Sequence, residues 1–435
     1  MRVRDGAAGG HRAPAGPPPA RTRSSERTVL SNTHALSGLR VLEVGNYIAG
    51  PYCGTLLADL GAQVTKVEDP TGGDVVRTYG AMIESVADSA AFLTLNRNKQ
   101  SIAVNLKTAE GCEIFLALVA GADVLIENLR PGSMRHLGFD YDTLAETNPG
   151  LIYLSASGWG QDGPLAADAG LDIMAQARSG LMSITGYAGG DPVKAGVPIC
   201  DIGCALYGAI AVLAALNHRN ATGEGQFIDV SLFEAGMSYA IWEFARYTAT
   251  GEIPRAQGSV HQSAAPYQAV RASDGWFTLG AATPKTWLSF CEAMGLQALV
   301  DDDRFLTNAD RMRNRDQLID IIEARTIKLP REHWLSCLAA AGVPTAPVND
   351  YEQAFHDEQL VLRDYFWDSQ TPDGGHVRQM GSPMRFSKTP TVRESAGPAL
   401  GGSTHTVLTE LGYTQDAIDR LTDRGIVRTA EFAEL

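Results

Sequence analysis

What this chain has little of narrows its possibilities first. Six cysteines in 435 residues are too sparse for a disulfide framework, and the expectation is free thiols in a reducing cytoplasm. Cys200 and Cys204 flank Asp201 closely enough to suggest metal ligands. No second Cys/His pair with zinc-like spacing accompanies them, so no metal is expected and both read as small buried residues on a helix. Basic charge is short as well. Lys and Arg number 36 against 50 Asp and Glu, a formal net charge of −14, which argues against a nucleic-acid partner but leaves room for a local basic pocket. No uninterrupted apolar run approaches the ~18 residues of a bilayer span, so no membrane segment is expected.

What is present has the texture of an α/β enzyme: 44% apolar residues and 45 glycines, in a chain longer than the ~250–300 residues at which one core stops growing. Residues 1–35 stand apart, with Pro17-Pro18-Pro19 and six Arg against Asp5 and Glu26, and are expected to form a disordered tail. Their Arg- and Ser-rich, acid-poor composition also suits a transit peptide, against which the prolines and the missing amphipathic pattern count. Folded sequence begins with the strand-like Leu39–Val44, a helical stretch opened near Pro51 and ended by Gly61, and a second strand over Gln63–Glu68. This strand–helix–strand spacing requires a parallel pair with a right-handed crossover. The alternation continues through Ser101–Asn105, a helix over Ala109–Val119, Asp123–Glu127 and Leu151–Ser155. The first half therefore reads as a doubly wound, Rossmann-like domain. Gly45-Asn-Tyr-Ile-Ala-Gly50 fails the G-x-G-x-x-G fingerprint, so no dinucleotide site follows from the fold class.

Helical spacing recurs over Asp168–Met182, Cys204–Leu216 and Glu234–Tyr247. Gly251–Ala264 has no periodicity and reads as a loop. Strands over Tyr267–Val270 and Trp276–Leu279 flank a Ser273-Asp-Gly275 turn, and three helices follow near 284–294, 313–326 and 331–341. The expected organisation is a large domain over 36–232, a linker helix over 233–254, a small α+β domain over 255–345 and a return to the large domain over 346–435. Asp201, at the end of an apolar run and just ahead of the small-residue segment Gly203–Leu216, reads as an N-cap, a ligand or a nucleophile.

Several phrases in order resemble the class III CoA-transferase family, which includes formyl-CoA transferase and carnitine CoA-transferase. They are Ala49-Gly-Pro-Tyr52, Leu57-Ala-Asp-Leu-Gly-Ala62, Lys66-Val-Glu68, Gly73-Asp74 with Arg77, Asn96-Arg-Asn-Lys99, Glu127-Asn128 with Pro131-Gly132, and Ser157-Gly-Trp-Gly-Gln-Asp-Gly-Pro164. Ser179-Gly-Leu-Met182, Thr222-Gly223, Gly342-Val-Pro344 and Gly397-Pro-Ala-Leu-Gly401 extend the likeness across about residues 36–425. The resemblance implies an interlocked homodimer with a Rossmann-like large domain and a smaller inserted one. It makes Asp201 the nucleophile and CoA or acyl-CoA the substrate, with no tightly bound cofactor. It places CoA contacts at Ile48 and Ala49, at Val104 to Lys107, and at Asn128, Leu129 and Arg130, with Arg135 and His136 nearby. Asp69 and His136 stand where formyl-CoA transferase carries Arg, so those two contacts are in doubt.

The same family includes α-methylacyl-CoA racemases, which need an acid/base pair across the α-carbon. Leu171 stands where they carry His and Thr283 where they carry Glu, so transfer is favoured over racemisation. Asp172 reads as a helix N-terminal charge. The loop Gly258-Ser-Val-His-Gln262, followed by Pro266-Tyr-Gln268, looks like the succinate–hydroxymethylglutarate CoA-transferase branch, where His261 would recognise a second carboxylate or line a lid. A non-catalytic CoA-binding regulator or partner subunit is the remaining alternative, and the presence of Asp201 counts against it.

Overall fold

The computed structural model describes residues 33–430; the expected tail lies, up to residue 32, outside the described residues. Its centre is a seven-stranded sheet. In spatial order the strands are Val427–Arg428, Lys99–Val104, Gln63–Glu68, Arg40–Val44, Val124–Glu127, Ile152–Ser157 and Gln226–Ser231. The last six are mutually parallel and the 427–428 strand pairs antiparallel with 99–104. Reading outward from Arg40–Val44 through the parallel strands, one side runs to 63–68 and 99–104 and the other to 124–127, 152–157 and 226–231, so the order reverses between Arg40–Val44 and Val124–Glu127. A crevice opens at such a reversal, beyond the carboxyl ends of the strands.

Alternation along each strand sends side chains to two faces. Leu42, Val44, Leu125 and Tyr153 pack on one face with Ile114, Phe115 and Leu408. Val41, Val124, Ile126, Ile152 and Leu154 pack on the other with Leu56 and Leu57 of the helix Ala49–Asp59 and with Ala205, Ala209 and Val212 of the helix Ile199–Thr222. A separate core, from Val270 to Val343, joins the antiparallel strands Tyr267–Ala272, Gly275–Gly280 and Thr345–Pro347 to the helices Pro284–Ala293, Arg315–Thr326 and Arg331–Ala340.

Three expectations need correcting. The 234–247 helix is two helices, Leu232–Ser238 and Ile241–Thr250, broken at Tyr239, whose hydroxyl turns back to donate to the Ile199 carbonyl at 3.2 Å. The 168–182 helix shrinks to Asp172–Arg178 and Leu181–Ile184, with Gly180 left-handed between them at φ 87°. The helix expected from residue 204 begins at Ile199. It is long and apolar enough, by length and composition, to cross a membrane, which a search for unbroken apolar runs passes over. Half of its most apolar stretch is buried, against the sheet and three neighbouring helices, so it is packed as a core helix.

Charge is buried where the crevice begins. Glu43 is fully buried and bonds both Lys66 and Lys99 at 2.7 Å, and Lys66 also meets Asp74 at 2.9 Å. Lys66 donates to the Gly45 carbonyl at 2.8 Å and Lys99 to the Pro51 carbonyl at 2.7 Å. Burial pushes the Glu43 carboxyl up, and the two ammonium groups more than offset it, holding it below the usual range. Beside this cluster Arg77 grips Glu68 through two nitrogens and Asp88 through a third, and Arg97 grips Asp59. Removing one partner of a buried pair strands the other. Glu43→Ala is therefore expected to destabilise the protein by about 3–5 kcal/mol, read from the midpoint of urea unfolding; an unshifted midpoint would remove the network's structural role.

Candidate active site

Asp201 lies in the first turn of the 199–222 helix rather than ahead of it. Pro198 occupies the N-cap position and offers no side-chain acceptor. The acceptor comes from another element. Asp172 takes the Cys200 N–H on Oδ1 at 2.8 Å, and its Oδ2 accepts from Gln176 Nε2 at 2.6 Å. Gln176 is fully buried and accepts the Ala195 N–H at 2.8 Å, which fixes the approach to the helix. Asp172 is thus a helix-terminal charge, as its position suggested, but its carboxylate caps the helix that carries Asp201 as well as opening its own.

The buried side of this helix start is built mostly from small residues. Cys200 and Cys204, both buried, share one cluster with Ala49, Ala156, Ala175, Leu232 and Ala235. Ala49 is the first residue of the 49–59 helix, so the amino-terminal turns of two long helices pack together here. Gly203 is required for contact of another kind: a Cβ there would stand 1.9 Å from the Tyr239 hydroxyl. Burial, and then the Asp172 carboxylate, push the Asp201 carboxyl up to about 7. Burial likewise pushes the Cys200 thiol up to about 12 and Cys204 well above its ordinary value, which suits inert packing thiols.

The loop after the first strand is held from two sides. Asn128 accepts the Asn46 N–H at 2.9 Å and donates to the Asn46 carbonyl at 2.8 Å, bridging the reversal point. Asp74 accepts the Tyr47 N–H at 3.2 Å, with Tyr47 at φ 61°. Gly45 leaves room for Asn128, since a Cβ there would lie 2.5 Å from its Oδ1. Next to this loop is a cleft of about 160 Å³ lined by Gly45, Asn46, Asp69, Asp74, Val104 and Lys107, among others.

Of the expected contacts, Val104 and Lys107 line this cleft, while Ala49 joins the cluster around Asp201. Ile48 is the N-cap residue of the 49–59 helix and Leu129 packs on the sheet core. Asn128, through its bonds to the Asn46 backbone, shapes the loop as well. Arg130, Arg135 and His136 are exposed outside the cleft wall, His136 donating from Nδ1 to the Gly132 carbonyl at 2.7 Å. Asp69, doubted for want of an Arg, faces the cleft near Lys107, whose charge contributes to holding its carboxyl low after the Thr71 hydroxyl. Gly258, at φ 68°, donates its N–H to the Gly186 carbonyl at 2.7 Å, and Ala256 donates to Ser183 at 3.1 Å. These bonds fasten the 251–264 loop to the segment that leads into Asp201. His261 stacks on Tyr267 at 4.7 Å and accepts the Ser263 N–H on Nδ1 at 3.2 Å. Asn46, Gln176 and the capping role of Asp172 were missed. Each works by a bond to backbone far along the chain, which residue spacing does not encode.

The family profile for CoA-transferase family III matches residues 36–404. A succinate–glutarate CoA-transferase of Agrobacterium fabrum is 38% identical over 381 residues, 86% of this chain and 95% of that protein. The human succinyl-CoA:glutarate CoA-transferase is 35% identical over 399 residues, 92% of this chain and 91% of that one. Among solved structures, a CAIB/BAIF family protein from Brucella suis is 38% identical with a TM-score of 0.79, covering 87% of this chain and all of that one.

The carboxyl of Asp201 has stability consequences of its own. Its folded value stands above the unfolded one, so the native state holds the proton more tightly and stability falls as pH rises from about 4 to about 7. Asp201→Asn is expected to melt about 2–3 °C above wild type at pH 8 and level with it at pH 4. Equal melting at pH 8 would show that Asp201 is not held against its charge.

Proposed function

The chain belongs to CoA-transferase family III, and we propose that within it the protein takes CoA from succinyl-CoA and passes it to a small dicarboxylic acid through Asp201. The observation that carries the reading is Asp201 itself, in the first turn of a helix that starts against the small-residue cluster of Cys200, Cys204 and Ala49, its carboxyl held up by burial. The relatives supply the substrate class, since those described act between succinate or succinyl-CoA and glutarate.

An Asp201 oxygen attacks the thioester carbonyl, the C–S bond breaks, and CoA leaves as thiolate with the succinyl group held as a mixed anhydride. The thiolate then attacks the Asp201 carbonyl, the anhydride C–O bond breaks, and succinate departs, leaving an aspartyl-CoA thioester. The acceptor carboxylate attacks that carbonyl and displaces the thiolate, forming a second anhydride. The thiolate takes the acceptor's acyl group, and Asp201 is free again. Splitting one exchange into such steps is covalent catalysis. The oxygen that becomes negative at each addition needs N–H donors and a dry surround, which a helix amino terminus lined by alanines and buried cysteines can supply. The same exchange without Asp201 has no acceptor for the acyl group, which weighs against a silent partner subunit. Racemisation has no second acid or base in Leu171 and Thr283.

CoA is read as substrate, not resident cofactor. Lys107 and Arg130 are its phosphate partners, Val104 and Ala49 its apolar neighbours, and Asn128–Arg130 the loop that lies along it. His261 is assigned to the second carboxylate of the acceptor, on a loop already tied to the approach to Asp201. The division into a large unit from both chain ends and an inserted unit at 255–345 belongs to this reading. So does a cytoplasmic setting, in which the six free thiols stay reduced; cell fractionation that finds the enzyme elsewhere overturns it.

A homodimer is also proposed. The 241–250 helix buries none of its residues, Ile241 and Trp242 are 72% and 68% exposed, and the core helix also leaves Leu206 and Ile210 exposed. A patch of this kind marks a protein interface. Sedimentation is expected to give twice the 46.4 kDa of one chain; a monomer at working concentration overturns it.

The decisive experiment uses purified protein, succinyl-CoA and a panel of free acids, read by mass spectrometry. Wild type is expected to form the dicarboxylate thioester, with kcat/KM falling on the acid side through a midpoint near 7 as Asp201 takes a proton. Hydroxylamine should trap acyl-Asp201, and Asp201→Ala should lose at least about 10³-fold in kcat. In the same assay His261→Ala should raise KM for the dicarboxylate with little change for succinyl-CoA. Full activity in Asp201→Ala, or solvent deuterium entering the α-position of a 2-methylacyl-CoA, would defeat the mechanism.

A further inference from the structure

At the carboxyl ends of four neighbouring strands, Val44, Glu127, Ser155 and Asp229 stand in adjacent positions across the sheet. Glu127 is the buried carboxylate of this row, and it uses both oxygens. Oε2 accepts the Leu129 N–H at 2.8 Å, and Oε1 takes the Ser155 hydroxyl. Ser155 Oγ accepts in turn from Gln161 Nε2 at 2.7 Å, and the Gln161 N–H is held by Asp229 Oδ2 at 2.8 Å. Each link joins a loop to the row: Leu129 belongs to the loop after the fourth parallel strand, Gln161 to the loop after the fifth. One residue from Glu127, Asn128 clamps the loop after the first strand. None of these groups has a step in the transfer chemistry.

A carboxylate in this place is a costly choice. Burial pushes the Glu127 carboxyl up to about 7, with the Ser155 and Leu129 bonds pulling the other way. An apolar side chain would avoid that cost and would leave the Leu129 N–H and the Ser155 hydroxyl without this partner. The carboxylate offers a separate oxygen to each, one to the loop through Leu129 and one to the next strand through Ser155, which passes the tie on to Gln161.

We propose that Glu127 is a positioning residue for the CoA-binding loop Asn128–Arg130, fastening it through Ser155 to the 158–161 loop so that both sides of the crevice are set as one unit. This rests on the reading of Asn128–Arg130 as CoA contacts. Glu127 touches no reacting atom; it acts through the backbone of Leu129. The loss of Glu127 should therefore weaken the grip on CoA and spare the chemistry at Asp201.

The test measures CoA binding by titration calorimetry, KM and kcat with succinyl-CoA, and thermal melting, in wild type, Glu127→Ala, Glu127→Gln and Ser155→Ala. Glu127→Ala is expected to raise Kd for CoA and KM for succinyl-CoA about tenfold, the effect of losing hydrogen bonds to a charged acceptor, with kcat at saturation and the acceptor's KM little changed. Glu127→Gln should fall between, because its amide oxygen still accepts from Leu129. If Glu127→Ala does not fold, Ser155→Ala, which removes only the lateral tie, should still raise Kd in the same direction. Unchanged Kd in all folded variants, or a fall in kcat with Kd untouched, overturns the proposal. Wild-type protein that binds no CoA overturns the functional reading beneath it instead.

Discussion

One carboxylate, Glu43, sits between two ammonium groups at the point where three strands and a helix converge. Lys66 comes from the neighbouring strand and Lys99 from the strand beyond it, and each spends a further donor on the carbonyl of Gly45 or Pro51. Gly45 belongs to the turn that leads from the first strand into the 49–59 helix, and Pro51 to the first turn of that helix. The buried charges therefore shape the crevice as well as the sheet. The helix must come close for this to work, and Gly54 permits it, since a Cβ there would lie 2.2 Å from Glu43 Oε2. Burial lowers the Lys99 ammonium to about 8, so even this pair is held near the limit of what desolvation allows.

That network also explains how much of the molecule could be read in advance. The parallel strands, their order of appearance and the second core around residues 270–343 were legible, because periodicity of two and of 3.6 survives in any environment. Lys66, Glu68, Asp74, Arg77, Asn96 and Lys99 drew notice as family phrases, and the structure assigns them to buried ion pairs and hydrogen bonds. They carry the scaffold on which a ligand loop rests. Asn128 shows the same at one residue: noticed in a family phrase, it holds the Asn46 backbone across the sheet. The start of the 199–222 helix was misplaced for a related reason. Local signals offer Asp201 as the cap, and the cap is Asp172, on a separate helix.

Asp172 and Asp201 divide two duties that a single carboxylate cannot combine. Asp172 accepts a backbone N–H and a buried amide, so its charge is compensated by dipoles already in place. Asp201 gains nothing comparable from its neighbours, and burial and the Asp172 charge act against its ionisation. A side chain held in that condition weakens the fold, and perturbed groups of this kind concentrate at functional sites. The cap fixes where the helix begins, and with it the direction in which Asp201 projects.

The small residues packed at the start of this helix suit the proposed transfer at Asp201. Two helices bring their amino-terminal turns into one cluster of alanines and buried cysteines, and each carries the positive end of its dipole to that point. Larger side chains would separate the turns; charged ones would bring water and counter-ions with them. A chain of net charge −14 that handles anions cannot draw them in by its overall field. It has to offer positive potential locally, and backbone termini can do so without a basic side chain beside Asp201. A lysine at the same place would pair with Asp201, hold its carboxylate low, and reduce its tendency to form a bond to carbon. Dipoles of fixed direction favour the negative charge of each addition step while leaving the Asp201 oxygen unpaired, which is the condition covalent transfer requires.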